Sequence, residues 1–183
     1  MRRMRTKEPD KVKLFASIFT ADPALFAGVI ERLEARFGPV DVLSGPLDFT
    51  NTDYYEEEFG QGLVRKVVSF EEHVCPDELA EIKLFTNSIE DGLLSFDKKR
   101  RVNVDPGLLS LERLVLASCK NFAHRIYLGS GVYGDITLIY MRSGWKPLEW
   151  TYPDYKDESM RRILTRMRMR YAFRTGKRLA SHF

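Results

Sequence analysis

Two short stretches concentrate the side chains that could do chemistry. In RVNVDPG, residues 101–107, Val102 and Val104 alternate with Asn103 and Asp105. On a strand this spacing puts the amide and the carboxylate on one face. Together they could orient the polar edge of a small ligand by donating and accepting hydrogen bonds. In SCKNFAHR, residues 118–125, Lys120, Asn121, His124 and Arg125 supply an ammonium, an amide, an imidazole and a guanidinium. Such cations neutralise a phosphate or carboxylate. His124 is the candidate catalytic residue, because an unperturbed imidazole titrates near neutral pH. The bland readings are a solvated strand face closed by Asp-Pro-Gly turn chemistry, and a polar loop before a strand.

Aromatic rings stand beside carboxylates in TNTDYYEEEFG and WTYPDY. Tyr54 could stack on a base or sugar while Asp53 and Asp154 accept hydrogen bonds, or both stretches could simply rim the core. LGSGVYGD spells G-x-G-x-x-G at Gly129, Gly131 and Gly134. The strand-like DITLIYM follows it, where a dinucleotide site needs a helix, so these glycines read as a hairpin turn. The phosphate-loop pattern G-x-x-x-x-G-K-[ST] is absent, as are H-E-x-x-H and any Cys/His zinc spacing. No metal ligand set is expected and no cofactor is specified.

The elements that must position these groups alternate in type. VKLFASIF, residues 12–19, reads as a buried strand. Asp22-Pro23 starts a helix and Gly38-Pro39 stops it. Residues 40–49 read as a strand broken by Gly-Pro, 50–62 as a polar loop, and 63–70 as a strand. Pro76–Glu90 reads as a helix, RVNV as a strand, and the apolar run 110–118 as a short helical segment. Residues 124–128 and 135–141 form a hairpin, and 146–155 is extended. The order through Asp105, β-α-β-β-α-β, predicts an α+β protein with a ferredoxin-like core, an added antiparallel hairpin and a C-terminal basic helix. In this arrangement Asn103 and Asp105 lie on the free face of an open sheet.

Charge is unevenly spread over the 183 residues. Residues 161–183 hold eight Lys/Arg and no acids, whereas 12–160 carry 16 basic and 24 acidic residues, a net of −8. Residues 12–156 read as one domain and 157–183 as a basic amphipathic helix and tail, with Met160, Ile163, Leu164, Met167 and Tyr171 at helical spacing. Arg161, Arg162, Arg166, Arg168 and Arg170 could contact RNA. The apolar stripe could dock on the domain or on a partner protein. No apolar run approaches the ~20 residues of a membrane-spanning helix. The charged N-terminal stretch is not followed by a signal-type apolar region, and Cys75 and Cys119 read as free thiols, so the expected compartment is the cytoplasm. The oligomeric state is open.

KLFASIF, FTNTDYYEEEFG, RVNVDPG, LVLASCKN, HRIYLGSGVYGDITLIY and WTYPDY resemble, in this order, an uncharacterised prokaryotic family, domain-of-unknown-function family 4416, over Val12 to Tyr155. Its members are often labelled GTP-binding proteins, so the resemblance implies a nucleotide-like ligand. The expected function is binding of a small anionic or nucleotide-like ligand through Asp53, Tyr54, Asn103, Asp105, Lys120, Arg125 and Asp154. The alternative is an RNA-associated or protein-interaction module built on the arginine helix.

Overall fold

The computed structural model describes residues 6–48 and 59–177. Its elements run β1 (Val12–Thr20), α1 (Leu25–Phe37), β2 (Val40–Leu43), β3 (Leu47–Asp48), β4 (Val64–Val74), α2 (Leu79–Asp91), β5 (Val102–Leu109), β6 (Arg113–Ser118), β7 (Arg125–Gly129), β8 (Val132–Met141), β9 (Gly144–Pro147), α3 (Pro153–Lys156) and α4 (Glu158–Thr175). Among the described residues the strands form one nine-stranded sheet ordered β2-β4-β1-β5-β6-β8-β7, with β3 on β4 and β9 on β8. Every pairing is antiparallel. The α+β expectation holds in this coarse form. The whole path is unlike a four-stranded ferredoxin-like sheet, because β6 continues from β5 and carries β8, β7 and β9 with it.

Alternation along the strands sorts side chains to two faces. Leu14, Ala16 and Ile18 of β1, Val68 and Phe70 of β4, and Val102 and Val104 of β5 face α1 and α2, where Phe26, Val29, Leu33, Ile82 and Ile89 complete one core. Phe15, Val67, Leu109, Leu114, Leu116 and Leu138 form a second core with Met160, Leu164 and Met167 of α4. The sequence suggested a free face opposite α1 and α2; instead α4 covers much of it. The apolar stripe of α4 docks on its own sheet.

Local chemistry explains the helix starts. The Asp22 carboxylate accepts the Ala24 N–H at 3.2 Å ahead of α1. Ahead of α2, the Glu78 carboxylate accepts the Cys75 N–H at 2.6 Å.

Three local expectations change. Residues 113–118 form strand β6, not a helix. The Ser110 hydroxyl accepts the Arg113 N–H at 3.3 Å, so it closes the β5–β6 turn instead of capping a helix. Pro106-Gly107 is not a turn: both residues lie inside β5. The stretch 146–155 is not extended throughout, since α3 begins at Pro153. Of the three hairpin glycines, Gly129 at the end of β7 and Gly131 in the turn have positive φ, as does Ser130, whereas Gly134 lies inside β8 and pairs with Ile126.

Candidate functional site

β5 and β6 pair only at Gly107–Leu109 against Leu114–Leu116. Pro106 has no N–H with which to extend that ladder. Beyond it the strands part, and a cleft of about 410 Å³ opens between them. That volume is in the range of small-molecule sites, which run from about 300 to 1,000 Å³.

α2 lies along the open stretch of β5. The Val104 N–H donates to Glu90 Oε1 at 2.8 Å, and the Val104 carbonyl accepts from Lys83 Nζ at 3.2 Å. Positions 83 and 90 share one stripe of α2, so two side chains stand in for a missing strand. Lys83 also donates to Asp105 Oδ1 at 3.1 Å. Asp105 Oδ2 accepts from Asn103 Nδ2 at 2.7 Å, and Asn103 Oδ1 accepts from Arg100 at 3.0 Å. Arg100 returns to Glu90 at 3.4 Å, closing a ring of polar groups along the strand edge.

Burial disfavours the Lys83 ammonium, but the charges of Asp105 and Glu90 outweigh it and raise its pKa. Burial raises the Glu90 carboxyl, against the pull of Lys83 and the Val104 N–H. Both effects follow from moving charge out of water into a paired, low-dielectric setting.

The facing wall is built by β4, β8 and α3. Arg65 of β4 donates to Asp154 of α3, and both are buried. Asp135, buried at the β8 position opposite Arg125, accepts from Arg125 Nε at 3.0 Å and lies 3.1 Å from His124 Nε2. Arg125 further donates to Ser118 Oγ at 2.8 Å and to the Lys120 carbonyl at 2.7 Å, and it holds the Tyr152 hydroxyl. Burial raises the Tyr152 pKa. The His124 ring stacks on Trp150, centroids 4.9 Å apart.

Of the residues named from sequence, Asn103, Asp105, Lys120 and Asp154 line this one cleft. His124 and Arg125 join it through Asp135. Asp53 and Tyr54 lie outside the described residues. Asn103 is buried and held between Arg100 and Asp105, so the strand face is not a wet surface. Sequence reading missed Lys83, Glu90, Arg65, Arg100 and Asp135. Only Asp135 left a signal, as a lone acid opening the apolar strand DITLIYM. No group of three or more His, Cys, Asp or Glu among the described residues is arranged to hold a metal ion.

Of the arginine set, Arg168 drops out as a nucleic-acid contact. It is buried, donates Nε to the Leu111 carbonyl at 2.7 Å and sits 3.5 Å over the Tyr140 ring. Arg162, Arg166 and Arg170 remain exposed on the outer side of α4, and Arg161 is half-buried. No helix among the described residues is long and apolar enough to cross a membrane.

Fold and site together define an α+β protein with a polar cleft opened inside an antiparallel sheet. The family model for a domain of unknown function, DUF4416, matches residues 10–171, and the chain belongs to that family. No curated protein and no solved structure matches the chain.

Proposed function

We propose that the protein binds a small ligand, anionic or nucleotide-like and of low net charge, in the cleft between β5 and β6. The observation that carries this reading is the ring of Lys83, Asp105, Asn103, Arg100 and Glu90 along the open edge of β5. It supplies fixed donors and acceptors at the wall of a cavity large enough for a nucleoside monophosphate. The lining holds five acids (Glu90, Asp91, Asp105, Asp135 and Asp154) and four bases (Arg65, Lys83, Arg100 and Lys120). A polyphosphate would meet repulsion from those acids, whereas a single phosphate or carboxylate can share a cation with them. His124, oriented by Asp135, is the proton-transfer candidate.

The test is a thermal-shift series with AMP, GMP, ATP plus Mg²⁺, GTP plus Mg²⁺ and orthophosphate. A ligand at 100 times its Kd stabilises the fold by about 2.7 kcal/mol. For a chain of this size that moves the midpoint by about 5–10 °C. The expected result is a larger shift with monophosphates than with triphosphates, lost in Asp105→Ala. Asp105→Ala also removes an ion-pair partner of the buried Lys83, so the unliganded variant should melt below the parent and its ligand shift is read against its own midpoint. Absence of any shift would end this reading.

A second reading rests on the row Arg162, Arg166 and Arg170, spaced four residues apart on the exposed side of α4. RNA binding through that row would fall steeply with added salt. It should disappear in the triple Arg→Gln variant.

We also read the first half of the sheet as a split βαβ unit of ferredoxin-like type. The interleaved order β2-β4-β1-β5, with helices between β1 and β2 and between β4 and β5, supports this.

A further inference from the structure

We infer that β7 is a self-association edge, through which two copies of this chain pair strand to strand. β7 closes one end of the sheet and pairs only with β8. Its outer backbone has no strand partner among the described residues. Unpaired edge backbone is a template for another strand, and proteins ordinarily guard it with Lys, Pro, inward charges or very short strands.

The other edges here are guarded. β9 lies along the same side of β8 and carries Lys146 and Pro147. At the far end of the sheet, β2 and β3 have four and two residues, Asp41 points inward, and Gly45-Pro46 separates the two strands. β7 is guarded less. It contains neither Lys nor Pro; its one charge, Arg125, is turned in on Asp135 with its side chain 8% exposed, and its ladder to β8 is irregular only past Tyr127.

What β7 presents is apolar. Ile126 is 66% exposed, Tyr127 60% and Leu128 42%, and Phe122 just before the strand is 64% exposed. At these exposures the four side chains offer about 450 Å² per copy, given that a whole aromatic side chain can bury some 150–250 Å². That is over half of the ~800 Å² each partner contributes to a stable interface, before strand backbone is counted.

The strand suits a second copy of itself. An antiparallel two-fold centred on Tyr127 sets each Ile126 against Leu128 of the second copy and the tyrosines against one another. Arg125 then falls opposite Gly129, so no like charges meet. The product is one sheet running through both copies.

The test is sedimentation velocity over a wide concentration range, with amide hydrogen exchange on β7. The full chain should sediment as a dimer that dissociates on dilution. Exchange at Ile126–Leu128 should slow as concentration rises. The double variant Ile126→Lys/Leu128→Lys should be monomeric at every concentration and lose that protection. Its melting midpoint should stay near the parent's at concentrations low enough for the parent to be monomeric, because both positions are exposed. Phe173→Lys, at another exposed aromatic on α4, should leave the dimer intact. A parent that is monomeric throughout, or a dimer that survives the double variant, overturns the inference.

Discussion

Asp41→Ala should cost about 3–5 kcal/mol of folding stability, the range seen when one partner of a buried ion pair is removed. Lys13 and Asp41 form the most enclosed pair among the described residues, with side chains 0% and 1% exposed and Nζ to Oδ2 at 2.6 Å. The register of β2 on β4 shifts between Val40 and Val42, and Asp41 sits at that irregularity, reaching past β4 to β1. There its second oxygen accepts from Ser69 Oγ at 2.6 Å, while Lys13 also donates to the Phe70 carbonyl at 2.8 Å. Burial pulls the Lys13 pKa below the ordinary lysine range, and the Asp41 bond and charge oppose that pull. Without Asp41 the burial penalty and the nearby Arg174 and Arg170 charges lose the carboxylate that opposes them, and Lys13 must shed its proton or the region must open. Urea denaturation checks the loss. The double variant Lys13→Met/Asp41→Leu should recover most of it, because replacing both ions by apolar groups of similar size is often neutral. A single variant within 0.5 kcal/mol of the parent would sink this account.

Gly107→Ala should be nearly as damaging, at about 3 kcal/mol, near the upper end for overpacking a core. A Cβ at this position would lie 2.5 Å from Phe15 Cε1 and 2.8 Å from the Val115 carbonyl oxygen. Phe15 is fully buried beneath α4, and the Val115 oxygen belongs to the backbone of β6. Neither can move away cheaply. Gly107 also belongs to the three-residue ladder that joins β5 to β6. The added methyl would therefore wedge the strands apart at the root of the cleft. Ligand-induced thermal shifts should shrink in this variant as well as the midpoint. Phe15→Leu in the same chain should relieve part of the damage, read as a coupling energy in a double-mutant cycle. A fully stable Gly107→Ala would mean that the two strands are not held at this spacing.

Much of the local structure was legible because it depends on neighbours in sequence. Asp22-Pro23 starts α1, glycine ends it, Ser130-Gly131 turns a hairpin, and Val102 and Val104 face the core as their alternation says. β6 was misread for a definable reason. Leu114 and Leu116 pack toward α4, while Val115 and Ala117 pack toward α1 and α2. A strand covered on both faces loses its period-two signal, and a short apolar run then resembles a buried helix. Pro106-Gly107 was misread because the pair is common in turns. Here it marks the end of a ladder and the close approach of Phe15.

The candidate site divides in the same way. Its polar strand residues, Asn103 and Asp105, stand out in sequence because they interrupt an apolar alternation. Lys83 and Glu90 do not, since charged residues on an amphipathic helix usually meet water. Only the packing of α2 against the unpaired edge of β5 turns them inward, 21 and 14 residues from the backbone atoms they hold. Arg168 is the converse case: it looks like one more solvent-facing charge until α4 sets it over Tyr140 and under the Leu111 carbonyl. The sequence by itself determined which segments are strands or helices where one face stays polar, and which residue types could do chemistry. The tertiary structure alone decided which of those residues meet, because burial of a charge is a property of what packs over it, not of its neighbours along the chain.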